Sequence, residues 1–213
     1  MKMSERKFQL NVVLDSFRNA RLDNGNLIID EYIRGYDELC IFFDMLGTIF
    51  GFITSDVRDK IEILQHHRKA LNGDKYNTLQ SMFEFEIAND LTAANTKPLS
   101  GSRTLLRLHR ALAFTALFMR KLSASSDAER SGTLASEAYN STLANFHPWL
   151  IRKAALWAMY TLPSVGDLIK KVAPESGTKE EASKMLIEVV EAIDLVYNDT
   201  EEQYTKNDLH GLP

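Results

Sequence analysis

Residues 47–64 read GTIFGFITSDVRDKIEIL, and their spacing predicts an amphipathic helix with a charged pair on its apolar side. At about 100° per residue, one broad arc of the helical wheel is apolar. It contains Ile49, Phe50, Phe52, Ile53, Val57, Ile61, Ile63 and Leu64. Asp56 and Lys60 fall inside that arc, whereas the other charges lie opposite. The pair therefore needs either a structural partner or a ligand.

The composition is that of an ordinary soluble globular protein. The chain has 213 residues, 45% hydrophobic and 25% charged, and this length predicts one domain over 1–213. A net charge of −4 argues against nucleic acid as a partner. Cys40 lies in the apolar run LCIFFDML, which predicts a buried thiol and a reducing compartment. The N-terminal residues lack the apolar run of a signal peptide, so we expect a cytosolic protein.

Apolar residues recur with a helical period along the whole chain, and no period-two strand pattern is present. Breaks coincide with Gly, Pro and Asn/Asp clusters. The pattern predicts an all-α fold of about eight helices. They cover 7–20, 30–71 with a bend near Gly47, 74–95, 101–123, 128–146, 149–161, 164–172 and 178–204.

The predicted helix 101–123 carries cations in line with an apolar strip. Arg103, Arg107 and Arg110 lie on one narrow face of its wheel. The same face continues into Phe114, Leu117 and Phe118. A second apolar face, nearly opposite, is formed by Leu105, Leu108, Leu112 and Met119. The two faces predict a helix packed between two layers.

The segment STLANFHPWLIRKAALWAMY, residues 141–160, holds both tryptophans of the chain. Pro148 suits the first turn of a new helix. His147 is then placed at a junction between two helices, where its ring can face a cleft. Trp149 follows directly.

Each of these features has a purely structural explanation. Asp56 and Lys60 are spaced for an i,i+4 ion pair, the arginines could reach water from a helix end, and His147 could be a hydrogen-bonded structural residue. His66 and His67 are adjacent and cannot share a helix face, so we expect no metal site. Buried charge costs several kcal/mol unless it is paired, however. One ligand, with a polar and anionic head group held at the mouth of an apolar slot, would account for the whole set.

Three motifs, in this order, resemble the glycolipid transfer protein family. They are Asp56 and Lys60 in a phenylalanine-rich helix, RTLLRLHRAL at 103–112 and YNSTLANFHPWL at 139–150. The resemblance covers essentially the whole chain. It implies an all-α, two-layer helical sandwich that encloses a lipid pocket. It also implies transfer of a sphingolipid between membranes, without a cofactor and without enzymatic chemistry.

The resemblance also implies a role for each candidate head-group residue. Asp56 would accept hydrogen bonds from the sphingoid amide and hydroxyl groups, and His147 would donate to the acyl-amide carbonyl. Lys60, Arg103 and Arg107 would hold a phosphate. The glycolipid-binding branch of the family has asparagine in place of Lys60 and tryptophan in place of Arg103. The chain is therefore similar to the phosphate-binding branch, and the implied lipid is ceramide-1-phosphate.

Further residues are implied for the pocket and its rim. Arg110 lies one turn beyond Arg107 and is an additional candidate for the phosphate. Trp149 would contact the membrane, since the amphipathic indole ring favours the interface. We expect a monomer, peripherally associated with intracellular membranes or the inner face of the plasma membrane. The apolar pocket would be lined by Ile49, Phe50, Ile53, Val57, Phe114, Leu117, Phe118, Leu143, Phe146 and Leu150.

Other functions stay open on the residues alone. An enzyme of sphingolipid metabolism could use Asp56 and His147 as base and acid, although the sequence has no Gly-rich phosphate loop and no HExxH motif. A lipid sensor could bind the same molecule and signal through a protein partner. A neutral glycosphingolipid is a further alternative, but it would leave two or three cations without partners.

Overall fold

The computed structural model describes residues 6–47, 50–93, 97–172 and 178–213, and these ranges contain helices but no β-strand. The nine α-helices found there are α1 (Leu10–Ala20), α2 (Ile29–Met45), α3 (Gly51–Lys69), α4 (Leu79–Ala88), α5 (Gly101–Ala124), α6 (Ser131–Ser141), α7 (Trp149–Tyr160), α8 (Val165–Val172) and α9 (Lys179–Lys206). Two 3-10 turns cover Gly73–Tyr76 and Ala144–Phe146. The prediction of an all-α fold is confirmed, with nine described helices instead of about eight.

Three predicted helices are shorter than expected. The helix predicted at 30–71 is two helices, because Gly47 has a φ of +118°, a conformation that side chains disfavour. The helix predicted at 74–95 is reduced to α4, which begins where Thr78 and Ser81 form a capping box. The helix predicted at 128–146 ends at Ser141, and a 3-10 turn follows.

Helix α5 lies at the centre of the packing. It contacts α3, α4, α6 and α9, while α1 packs on α2 and α9. The second apolar face of α5 is fully buried, as expected for a helix between two layers. Its members are Leu105, Leu108, Leu112 and Met119.

A buried carboxylate fixes the start of α5. Glu86 accepts hydrogen bonds from the backbone N–H groups of Gly101 (2.7 Å) and Ser102 (2.9 Å) and from the Tyr76 hydroxyl (3.0 Å). A negative charge at this end satisfies N–H groups that have no partner within the helix and complements the helix dipole. Gly101 also has no room for a side chain, because a Cβ would lie 2.4 Å from Met82 Sδ. The arginines of α5 are thereby held in place.

Cys40 is buried and unpaired, which confirms the prediction of a core thiol. Burial raises its pKa to about 12, so the thiol stays protonated and unreactive at neutral pH. Among the described helices, none combines the length and the apolar composition needed to cross a bilayer.

Candidate functional site

A cavity of about 550 Å³ is bordered by α2, α3, α5, α6 and α7. Its volume is within the range of roughly 300–1,000 Å³ that is typical of small-molecule pockets. The wall is largely apolar. A small set of polar and charged side chains is part of it, namely Tyr36, Asp56, Lys60, Arg107, Arg110, Thr115, Tyr139 and His147.

Asp56 and Lys60 contact each other across one turn of α3. Lys60 Nζ donates to Asp56 Oδ1 at 2.6 Å and to the Asp56 backbone carbonyl at 3.2 Å. The Asp56 side chain is 69% exposed, whereas that of Lys60 is 14% exposed. Exposed ion pairs contribute only about 0–1 kcal/mol to stability. Because the Asp56 side chain is largely exposed and its ion pair is weak, the carboxylate is accessible to a ligand. The spacing of the pair also fits the purely structural explanation.

Arginines of α5 contact backbone carbonyls near the end of the chain. Arg107 Nη2 donates to the Pro213 carbonyl at 2.7 Å, and its Nη1 donates to the Arg103 carbonyl at 3.1 Å. Arg110 Nη2 donates to the His210 carbonyl at 2.8 Å. The His210 carbonyl offers only partial negative charge to Arg110. Asp56 offsets part of the charge of Arg107, and Glu201 offsets part of that of Arg110, since each raises the pKa of the guanidinium group concerned.

The arginines repel one another within the cavity wall. Burial lowers the pKa of the Arg107 guanidinium, and the charges of Arg103 and Arg110 lower it further, while Asp56 raises it. Burial also lowers the pKa of Arg110. Both groups remain charged at neutral pH because the ordinary pKa of arginine is so high. An anion bound beside them would relieve this repulsion.

His147 lies between the 3-10 turn Ala144–Phe146 and α7, which begins directly after Pro148. Its ring lines the cavity, and Nδ1 is 2.8 Å from the Tyr139 hydroxyl. Burial lowers the pKa of His147; Asp56 opposes this shift and Lys60 adds to it. The imidazole is therefore neutral at pH 7 and can donate one hydrogen bond.

The structure brings most of the candidate head-group residues to one wall. Asp56, Lys60, Arg107 and His147 line the cavity together with Arg110. Arg103 is half-buried one turn before Arg107 and is not part of the lining. Its charge nevertheless acts on the cavity, as the pKa of Arg107 shows.

The apolar residues proposed for the pocket fall into separate groups. Those that line the cavity are Ile53, Val57, Phe114, Leu143 and Phe146. Phe50 and Phe118 are buried in the core and Leu117 packs against it, none of them lining the cavity. Leu150 is exposed on α7. Ile49 lies outside the described residues.

Several lining residues were not expected from the sequence. Tyr36 and Phe43 come from α2, Ile151 and Met159 from α7, and Pro213 from the end of the chain. Tyr139 was overlooked although it begins the segment YNSTLANFHPWL. Its spacing of eight residues from His147, across a helix end and a turn, gave no periodic signal.

An exposed apolar surface covers α7 and the turn before it. Here it is called the α7 surface, and it consists of Phe146, Trp149, Leu150, Trp157 and Tyr160, all more than half exposed. Basic side chains border it: Lys153 Nζ is 5.8 Å from the Trp149 ring, and the Arg130 guanidinium is 4.8 Å from the Tyr160 ring. Phe146 and the neighbouring Ile151 also line the cavity. Such surfaces are typical of protein or membrane contacts.

Comparison with known proteins finds relatives along the whole chain. Residues 27–174 match the family described as Glycolipid transfer protein (GLTP). A Xenopus tropicalis protein named ceramide-1-phosphate transfer protein is 42% identical over 217 residues, which is 100% of each chain.

Solved structures agree with this match. The apo crystal structure of mouse ceramide-1-phosphate transfer protein has a TM-score of 0.91 and 40% identity, covering 97% of this chain and 100% of that one. The human ceramide-1-phosphate transfer protein in complex with 2:0 ceramide-1-phosphate has a TM-score of 0.91 and 36% identity, covering 98% and 100%. These similarities confirm the predicted two-layer helical sandwich. The chain belongs to the glycolipid transfer protein family.

Proposed function

We propose that this protein carries ceramide-1-phosphate between membranes. The observation that carries the proposal is the composition of the cavity wall, where Lys60, Arg107 and Arg110 join Asp56 and His147 on a largely apolar surface. Arginine binds phosphate through paired N–H groups, and lysine adds a point charge. A neutral sugar would leave Arg107 and Arg110 without an anionic ligand. The names of the relatives support the same lipid.

The proposed head-group contacts follow from these positions. The Asp56 carboxylate accepts hydrogen bonds from the sphingoid amide and hydroxyl groups, and His147 donates to the acyl-amide carbonyl. Lys60 and Arg107 bind the phosphate, with Arg103 as a further ligand if its side chain turns toward the cavity. Arg110 adds positive charge from one turn further along α5. The hydrocarbon chains contact the apolar wall.

Transport without chemistry is consistent with the energetics. Burying a chain of roughly 16 carbons recovers on the order of 10 kcal/mol at about 0.8 kcal/mol per methylene. The same chain gains nearly as much in a bilayer, so exchange between protein and membrane is almost thermoneutral. We propose that the protein lowers the barrier to lipid desorption and returns the lipid unchanged, as a non-enzymatic carrier.

The α7 surface is the proposed membrane contact. Because Phe146 belongs to both the α7 surface and the cavity wall, docking on this surface would place the cavity next to the bilayer. Lys153 and Arg130 would add attraction to anionic lipids. In this proposal the protein acts as a monomer in the cytosol and binds intracellular membranes or the inner face of the plasma membrane reversibly.

Selectivity by charge tests the proposed function. With matched acyl chains, ceramide-1-phosphate is expected to move between vesicles at least about tenfold faster than galactosylceramide, since hydrogen bonds to charged groups contribute about 1.5–3 kcal/mol each. Mass spectrometry of the lipid after transfer should show it unaltered. Equal rates for the two lipids would contradict the phosphate assignment. Tight binding with slow movement would indicate a sensor, and an altered lipid would indicate an enzyme.

Replacing Trp149 with alanine tests the membrane contact. Moving about 100 Å² of indole surface out of water stabilises docking by roughly 2 kcal/mol, so we expect vesicle binding and transfer to weaken by about tenfold or more. The melting temperature should hardly change, because the side chain is 64% exposed. Leu195→Ala is the control, since Leu195 is an exposed apolar residue of α9, outside the α7 surface. Normal transfer with reduced thermal stability would show that Trp149 supports the fold instead.

A further inference from the structure

Tyr139 contacts the one histidine among the candidate head-group residues. Its hydroxyl is 2.8 Å from His147 Nδ1, and its side chain is 2% exposed at the end of α6. The ring lines the same cavity as His147 and packs edge-on against Phe114, with 6.3 Å between the ring centroids. The hydroxyl is thus held at one fixed edge of the imidazole.

The direction of this hydrogen bond follows from the partners available. Within the described residues, His147 Nδ1 is the one hydrogen-bond partner of the Tyr139 hydroxyl. If Nδ1 carried the hydrogen and donated, the buried hydroxyl hydrogen would have no acceptor among the described residues, which is unfavourable. Burial raises the pKa of Tyr139 and lowers that of His147, so the phenol keeps its proton and the imidazole is neutral. The hydroxyl therefore donates and Nδ1 accepts.

We propose that Tyr139 is a positioning residue that fixes the tautomer of His147, with the ring hydrogen on Nε2. This inference rests on the proposed function and extends it. Nε2 has no hydrogen-bond partner within the described parts of the chain, so its N–H is available to donate to the acyl-amide carbonyl of the lipid. The other tautomer would present a lone pair to that carbonyl and repel it.

The tautomer also decides which lipid head groups the histidine can bind. An N–H donor favours a head group with a carbonyl oxygen at this point, as in an N-acylated sphingolipid. Other charged groups near the ring do not fix the tautomer, because none is hydrogen-bonded to it in the described structure. Asp56 and Lys60 of α3 influence the pKa of His147. Arg107 and Arg110 of α5 line the same cavity, and Arg152 of α7 lowers the pKa of Tyr139.

Nitrogen-15 NMR of the histidine side chains tests the inference on the full-length, lipid-free protein. At neutral pH, the His147 signals, assigned by their loss in His147→Gln, should show an unprotonated Nδ1 and a protonated Nε2. In Tyr139→Phe, both tautomers should be populated. The pKa of His147 should also rise toward its ordinary value, because only the unprotonated Nδ1 can accept the phenolic hydrogen bond.

The matched control is Tyr36→Phe, which removes another buried hydroxyl from the same cavity wall. That hydroxyl donates to the Leu108 carbonyl and is not hydrogen-bonded to His147 in the described structure. Tyr36→Phe should leave the tautomer and the pKa of His147 unchanged. A hydrogen on Nδ1 in the wild-type protein would overturn the inference, whether or not Tyr139→Phe folds. Identical His147 signals in the wild type and Tyr139→Phe would overturn it as well.

Transfer gives the second measurement. Tyr139→Phe should weaken ceramide-1-phosphate transfer by about three- to tenfold relative to the wild-type protein, the effect of one neutral hydrogen bond. Full activity with a changed tautomer would show that the histidine does not use Nε2 on the lipid. If the wild-type protein moves no ceramide-1-phosphate, the proposed function fails, and the NMR result still decides the role of Tyr139.

Discussion

Replacing Asp56 with valine is expected to abolish transfer of every sphingolipid while the protein stays folded. The carboxylate is the proposed acceptor for the amide and hydroxyl groups that all sphingolipids share. Two hydrogen bonds to a charged acceptor are worth about 1.5–3 kcal/mol each. Their loss corresponds to transfer at least about a hundredfold slower. The rate is measured with both ceramide-1-phosphate and galactosylceramide in vesicles.

The fold should tolerate this change. The Asp56 side chain is 69% exposed, and its ion pair with Lys60 spans a single helical turn. Such pairs contribute a few tenths of a kcal/mol, or about 1–2 °C in Tm for a chain of this size. Asp59→Val is the control, because Asp59 is exposed on the same helix, outside the cavity. Unimpaired transfer with a clear loss of thermal stability would show that the pair serves only the fold.

The helical fold was largely predictable, and its errors have local causes. Periodicity places an apolar face on each helix, and burial of that face then follows, as for Leu108 and Leu112 of α5. The sequence predicted a bend near Gly47, but a periodic pattern does not reveal the positive φ of this residue, which separates α2 from α3. Likewise, α4 begins at the capping box of Thr78 and not where its apolar pattern starts.

The site was predictable only where its residues share a helix or a motif. Asp56 and Lys60 are one turn apart, so their shared face follows from helix geometry. Whether an apolar residue of that face meets the cavity depends on which helix packs beside it. Phe114 lines the cavity, whereas Phe118, one turn later on α5, is buried in the core.

Lining residues that lie outside the three recognised motifs were not predicted. Tyr36 of α2 and Pro213 reach the cavity only through the packing of helices that are far apart in sequence. The contact between Arg107 and the Pro213 carbonyl spans 106 residues. The structure therefore adds what the sequence could not show, namely which groups already occupy the arginines before a lipid binds.

Replacing Arg107 with leucine is expected to remove ceramide-1-phosphate transfer while preserving or slightly raising stability. Two hydrogen bonds from a guanidinium to a phosphate are worth about 1.5–3 kcal/mol each, so transfer should slow by at least about a hundredfold. The pKa of Arg107 is lowered in the folded state, so its charged form is destabilised there relative to the unfolded chain. At every pH below the lowered pKa, the charge of Arg107 therefore reduces the free energy of unfolding. Leucine carries no charge, so Arg107→Leu removes this reduction.

The control for Arg107→Leu is Arg120→Leu, which deletes the same charge from the same helix. Arg120 is exposed and pairs with Asp194 of α9, and it is not part of the cavity. Its replacement should leave transfer unchanged. Vesicle transfer and thermal melting are measured for both variants over a range of salt concentrations. The transfer rate of Arg107→Leu should depend less on salt than that of Arg120→Leu, because the attraction between Arg107 and the phosphate, which salt screens, is absent. If Arg107→Leu transfers ceramide-1-phosphate as well as Arg120→Leu, the phosphate does not bind at Arg107, and the cations of α5 serve only to hold the carbonyls of His210 and Pro213.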